Sequence, residues 1–448
     1  MQLRSVYSPN DPDMMDVNDS RSINNAIAKA VESGCNMVVI PRLNARSNSY
    51  SWIIGEPIML PSNITVILDG CYMVQEEGCY CNMFLTAGAL DSDNKTIEHE
   101  LCNIRIIGQN HPVLDGGVYN GFSEWHSPPG TLFNNVTMLF VNVNGFTVEG
   151  IKIRHMRWWS MAYYYCRNGI IRNVEFEADF ASIGPNGERV EALPEKYGDV
   201  YIKNGDGVDI RCGCNNILIE NITGKTEDDT VALTALMGTF EKRFFIEGKD
   251  WDIHNITIKN VSSDCLSGGQ LRLLCADGTR VHDVIVDSLM DYPARRSWQC
   301  NVFLGYAILG EYIRSRTSIR GEMSNISINN VFSHSTRAIL AGCAVENLHL
   351  SNIFCSKEVE YAIQTGNISS FNSTWIDGVY CAEGACSDTI FNFCSETEGE
   401  MQISHVYAHH CAHVVRNAGP MNITLTDCQV ERITDSLMSR EYNPNFPY

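Results

Sequence analysis

A short apolar motif recurs along most of this chain, and it limits the possible folds more than any other feature. From about residue 104 a polar or glycine-containing turn leads into alternating apolar residues, an asparagine, and a second alternating run. Copies occupy 144–153, 168–176, 215–222, 253–261, 281–286, 324–331, 346–353 and 421–425. Asn144 to Asn168 is 24 positions and Asn325 to Asn347 is 22, while other gaps are wider and imply inserted loops. Alternation at period two marks strands with one buried face. Short strands recurring at this interval, without long helices between them, predict a β-solenoid rather than a sandwich. A length of 448 residues is long for one compact core but suits a fold that grows by adding coils, so 1–448 reads as a single all-β domain.

One helix stands apart from this pattern. Asp19-Ser20, followed by Ile23, Ala26, Ile27, Ala30 and Val31, predicts an N-capped amphipathic helix over 18–34, closed by Gly34. Placed at the start of the stack, it would cover the open end of the first coil and blunt an exposed sheet edge. The segments 183–200 and 237–250 break the repeat and read as loop insertions, the kind of element that builds a cleft.

Bulk properties exclude several partners. The net charge of -20 argues against nucleic acid and against an anionic membrane surface. No apolar run reaches the roughly 20 residues of a membrane span. The start of the chain lacks the apolar core of a signal peptide, which predicts a cytoplasmic protein, or a secreted one if a leader has been removed. The 18 cysteines form no compact framework and read as buried thiols acting as small hydrophobes. His405, His409, His410, Cys411 and His413 crowd together without metal-site spacing and read as surface histidines. Asn-X-Thr triplets such as Asn63-Ile64-Thr65 and Asn255-Ile256-Thr257 read as turn asparagines opening a strand.

Two acidic segments carry the chemistry: Asn204-Gly205-Asp206-Gly207 and Glu227-Asp228-Asp229-Thr230. The interval from Asp206 to Asp228 matches one coil. Successive coils lie roughly 4.8 Å apart, so Asp206, Asp228 and Asp229 would share one patch, as glycoside hydrolysis requires. Asp228 and Asp229 are adjacent, and a regular strand would point them to opposite faces. Both reach one cleft only if the segment is a turn or bulge. Lys203 and Arg211 flank the first segment as candidate substrate contacts, and Trp158 or Trp159 offers a surface for stacking on a sugar ring.

These segments resemble the polygalacturonase-like family, glycoside hydrolase family 28, whose members are right-handed parallel β-helices. Asn204-Gly205-Asp206-Gly207-Val208-Asp209 is similar to the family's Asn-Thr-Asp-Gly element, and Glu227-Asp228-Asp229 to its Gly-Asp-Asp element. Arg154-His155-Met156-Arg157-Trp158-Trp159, with Tyr163-Tyr164-Tyr165-Cys166, looks like the aromatic segment before them. The resemblance implies an inverting hydrolase without a cofactor. Asp228 would protonate the glycosidic oxygen, and Asp206 and Asp229 would hold and deprotonate the attacking water. The family's Gly-His-Gly is matched best by Ser267-Gly268-Gly269-Gln270, farther from Asp229 than the family spacing, and its Arg-X-Lys only by Arg272. Gln270 cannot relay a proton as histidine does, which points to a distant branch acting on a glycan other than plain pectin. Alternation with Leu271 and Leu273 predicts that Gln270 and Arg272 face outward, toward substrate. The rival readings are a Ca²⁺-dependent polysaccharide lyase on a similar fold and a non-catalytic glycan-binding β-helix.

Overall fold

The computed structural model describes residues 5–91, 96–118, 131–184, 188–190, 201–238, 241–294, 299–305, 315–366, 369–431 and 433–438. Two compact units emerge, one comprising Met1–Asp209, Ile217–Glu227 and Phe244–Lys249, the other Ile210–Asn216, Asp228–Arg243 and Asp250–Tyr448. The fold is the expected right-handed parallel β-helix.

In the first unit the strands Met37–Pro41, Ile64–Asp69, Leu101–Gln109, Val143–Arg154 and Arg167–Glu177 pair in parallel, one coil on the next. A second sheet stacks Ile58–Leu60, Phe84–Thr86, Met138–Val141 and Met161–Tyr164. Register keeps like residues in columns: Val66 beside Ile106, Ile106 beside Val148, Val148 beside Ile171. In the second unit Ile258, Val286, Ile328, Leu350, Ile376, Ile403 and Leu425 continue one such column. Ile326 lies beside Leu348, so one coil here advances the chain by the same interval that separates Asn325 from Asn347.

The asparagines explain how a strand stays amphipathic around a corner. In Met323–Ser333 the buried residues are Met323, Ile326, Ile328, Val331 and Ser333. Their alternation skips twice, at Asn325 and Asn330, and both have positive φ, 55° and 56°. A left-handed residue turns the backbone and restores the inward face, and asparagine tolerates that conformation better than most residues. The side chains then form a ladder. Asn347 Nδ2 donates to Asn325 Oδ1 at 2.8 Å, and Asn330 Nδ2 donates to Asp287 Oδ1 at 2.7 Å. Asn63 and Asn255 belong to the same class of turn, as read from the sequence. Asn330→Ala is therefore expected to lose about 1–2 kcal/mol in urea unfolding, from the strained backbone and the lost ladder bonds, and Asn330→Gly less.

The helix spans Asp19–Glu32 and packs Ile23, Ala26, Ile27 and Ala30 against the first coil. Its N-cap is Asn18, whose side chain accepts from the Arg21 N–H, rather than Asp19. Asp19 is instead buried, paired with Arg46 at 2.7 Å and accepting from the Ile53 N–H. Between 183 and 200, the strand pair Ser182–Ile183 and Arg189–Val190 joins Tyr201–Ile202 in a small antiparallel sheet. The rest of that insertion, 185–187 and 191–200, lies outside the described residues, as do 239–240 of the other. No helix among the described residues is long and apolar enough to cross a membrane.

Candidate active site

Residues 227–230 form a bend between the strands Asn215–Thr226 and Val231–Ala235. This irregularity lets neighbouring aspartates point the same way. A Cβ added to Gly268 would sit 2.2 Å from Asp228 Oδ1 and 2.6 Å from Asp229 Oδ1. Both carboxylates therefore lean over one glycine, and only glycine leaves them room. The turn needed to bring the pair to one side is present.

The two carboxylates have different surroundings. Asp229, 3 % exposed, is ion-paired with Arg272 and accepts from the Gly269 N–H at 3.0 Å. The Arg272 guanidinium also lies over the Phe303 ring, 4.5 Å from its centroid, so a ring supports it while its N–H groups hold Asp229. Asp228 is half-buried, and the Cys265 thiol donates to its backbone carbonyl. Gly268→Ala should drive a methyl into both carboxylates and into the Asp229 backbone nitrogen, 2.7 Å away. The expected result is a loss of about 1–3 kcal/mol in thermal unfolding.

Asp206 belongs to the first unit. It lies just after Asn204, which has a left-handed backbone, and its carbonyl accepts from the Ser160 N–H at 2.9 Å and the Ser160 hydroxyl at 2.8 Å. The residue is 6 % exposed.

Five candidate substrate contacts are corrected by burial. Trp158 and Trp159 are 1 % and 2 % exposed and stack on each other at 4.0 Å inside an aromatic cluster with Phe133. Phe244, from the 237–250 insertion, packs on the same Phe133 at 4.7 Å. These indoles build the interior and offer no platform to a sugar. Gln270 is 1 % exposed and does not face outward. It sits before the strand Leu271–Cys275, where its amide clamps Ser263: Oε1 accepts from the Ser263 N–H and hydroxyl, and Nε2 donates to the Ser263 carbonyl. Arg211 is buried in a pair with Glu241. Lys203 is buried between Asp179 and Glu227. Arg272 is the candidate cation that does meet a candidate catalytic carboxylate, Asp229.

The sequence marks Lys203 and Glu227 through the acidic segments but gives no sign of Asp179, which joins them in a buried cluster. Burial pushes the Glu227 carboxyl up to about 7, against the opposing pull of Lys203. Asp179, where Lys203 and Arg189 outweigh burial, is held down at about 2. Burial opposes the Lys203 charge, but its two carboxylate partners win and raise its pKa. Glu227 occupies the place of the small residue in the resembled Gly-Asp-Asp element, and it is fully enclosed.

No protein-family model matches the chain, and no curated protein matches it in sequence. Among solved structures it is similar to PfbA, a surface adhesin of Streptococcus pneumoniae, at 13% identity and TM-score 0.51, over 96% of this chain and 91% of that one. A second structure of the same adhesin matches at 13% identity and TM-score 0.50, over 97% and 99%. A family 28 exopolygalacturonase of Yersinia enterocolitica is similar more loosely, at 12% identity and TM-score 0.46, over 96% and 78%. At such identities the likeness to the adhesin bears on the fold alone, and it agrees with the coil-on-coil pairing in each unit: the chain is a parallel β-helix.

Proposed function

We propose that the chain is a carbohydrate-active β-helix that hydrolyses an oligo- or polysaccharide with inversion, with Asp228 as the proton donor. The observation that carries this reading is the pair of carboxylates leaning over Gly268 in unlike surroundings. Acid and base roles divide most readily between groups whose environments differ. Asp229, aligned by Arg272 and the Gly269 N–H, is the carboxylate assigned to the water. Asp228, the more exposed of the two, is the one assigned to the glycosidic oxygen. Asp206 is named for the water by the resembled motif alone. A proton then moves from Asp228 to the leaving oxygen as water, losing its own proton to the base, attacks the anomeric carbon from the opposite side. The two carboxylates crowd one position over Gly268, closer than the roughly 6.5–9.5 Å usual for an inverting acid and base, and a retained anomer from double displacement is therefore the rival outcome.

The low exposure of Asp206 and Asp229 favours one rival, a β-helix that binds glycans without cleaving them. Incubation with a panel of uronate-containing and neutral oligosaccharides, read by product mass, separates the readings. Hydrolysis yields fragments heavier in sum by one water. An unsaturated fragment marks elimination, and binding without any new mass marks the non-catalytic reading; either overturns the proposal.

A further inference from the structure

Three thiols converge in the second unit, far along the chain from the acidic segments. The Sγ atoms of Cys355, Cys381 and Cys386 all lie within 4.8 Å of one another, and all three residues are buried. Cys355 and Cys381 close the neighbouring strands Ala344–Cys355 and Ser369–Cys381 and are direct register partners. Cys386 arrives from the turn that follows. The Ala382 N–H donates to the Cys355 carbonyl and the Ala385 N–H to the Ala382 carbonyl, curling the chain back. The Cys386 N–H then donates to the Val359 carbonyl at 2.8 Å. Cys386 has φ 49°, a left-handed backbone that cysteine rarely adopts. The other left-handed corners of this fold are filled mostly by asparagine or glycine. The turn thus accepts strain that swings this thiol onto the other two.

We propose that Cys355, Cys381 and Cys386 form a three-thiolate site for a thiophilic d¹⁰ cation, zinc(II) or copper(I). Zinc–thiolate bonds of about 2.3 Å place tetrahedral sulfurs about 3.8 Å apart, a spacing that the cluster reaches with small rotations of the side chains. Three thiolates supply three of zinc's four ligands, or the full set of a trigonal copper(I). Three buried negative charges without a cation would be untenable, so the ion and the loss of the S–H protons go together. An entry path exists as well. Cys355 and Cys381 line a surface groove of about 880 Å³ whose wall is a column of stacked rings, Phe332, Phe354, Tyr380 and Tyr407.

The test uses the full chain, purified under reductant and stripped by chelator, then titrated with Zn²⁺ against a chromophoric chelator and, separately, with Cu⁺ against a copper(I)-specific one. The parent is expected to take up one ion per chain and to show a thiolate-to-metal charge-transfer band when loaded with Co²⁺. Cys386→Ser should weaken binding by about 100-fold or more, since losing even outer-shell groups costs about 10–100-fold. Cys35→Ser, at a free thiol of the first unit, should bind as the parent does. The parent alone provides a second reading, because bound metal should slow alkylation of Cys355, Cys381 and Cys386 specifically, mapped by peptide mass. The arm that binds more tightly identifies the ion. No stoichiometric uptake, binding indifferent to Cys386→Ser, or a disulfide among the three in protein isolated without oxidant would each overturn the site.

Discussion

Asp228→Asn is expected to lower turnover of the cleaved glycan by roughly 10²–10⁴-fold, the usual contribution of a positioned general acid, and to leave glycan affinity nearly unchanged. Asparagine matches aspartate in size, so the crowded space over Gly268 accepts it without rearrangement. What disappears is the proton. Initial rates and an equilibrium binding isotherm on the same oligosaccharide check both halves. Asp229→Asn should behave differently. It takes the carboxylate from Arg272, whose guanidinium is mostly enclosed, so stability should fall along with activity. If both variants merely lost stability, with the rate per folded molecule unchanged, the pair would have no chemical role.

Lys203→Met should produce the largest loss of stability, about 3–5 kcal/mol near pH 8, because it leaves buried carboxylates facing each other without their shared cation. The pH dependence follows from the groups themselves. Glu227 carries a folded pKa of about 7 against an ordinary 4.5. The unfolded chain therefore gives up this proton first as the pH rises. The stability tied to protonated Glu227 is present in full below about 4.5 and is lost as the pH climbs through 7. By size this amounts to roughly 3 kcal/mol. Asp179 runs the other way, its carboxyl at about 2 rather than 3.8, so its contribution holds above 3.8 and fades toward pH 2. Hence the penalty of Lys203→Met should shrink at pH 5, where Glu227 is neutral. Glu227→Gln should flatten the decline between pH 4.5 and 7. Urea unfolding of the parent and both variants at pH 5 and pH 8 checks these signs.

The fold was legible because its determinants are local. A left-handed corner at a fixed place in each coil favours asparagine or glycine, and Asn325, Asn330, Asn347 and Asn352 display that preference in the sequence itself. The helix was legible for the same reason, apart from the shift of its cap from Asp19 to Asn18. The site was legible only in part. Asp228 and Asp229 announce themselves as a pair, but what turns both the same way is the bend at 227–230 together with Gly268, which lies far downstream in the chain. Lys203 and Arg211 looked like free cations beside an acidic motif. Their partners Asp179 and Glu241 lie 24 and 30 residues away, in segments with no motif of their own. Gln270 follows the strand parity one position too early, before the strand begins, and turns in to hold Ser263. The tryptophans failed as a platform because aromatic residues signal burial as readily as sugar stacking, and Phe133 and Phe244 enclose them. The thiol cluster shows the same limit: Cys381 and Cys386 stand at a C-x4-C interval that zinc sites use, but their third partner, Cys355, ends the preceding coil, where no spacing announces it.

The most direct test of hydrolysis by the paired carboxylates is the anomeric configuration of the first product, read by proton NMR in D₂O during cleavage of an oligosaccharide by the parent protein. Direct attack of water predicts the inverted anomer, with no signal from an unsaturated end. A retained anomer, an unsaturated product, or an unaltered spectrum across the whole oligosaccharide panel would contradict it.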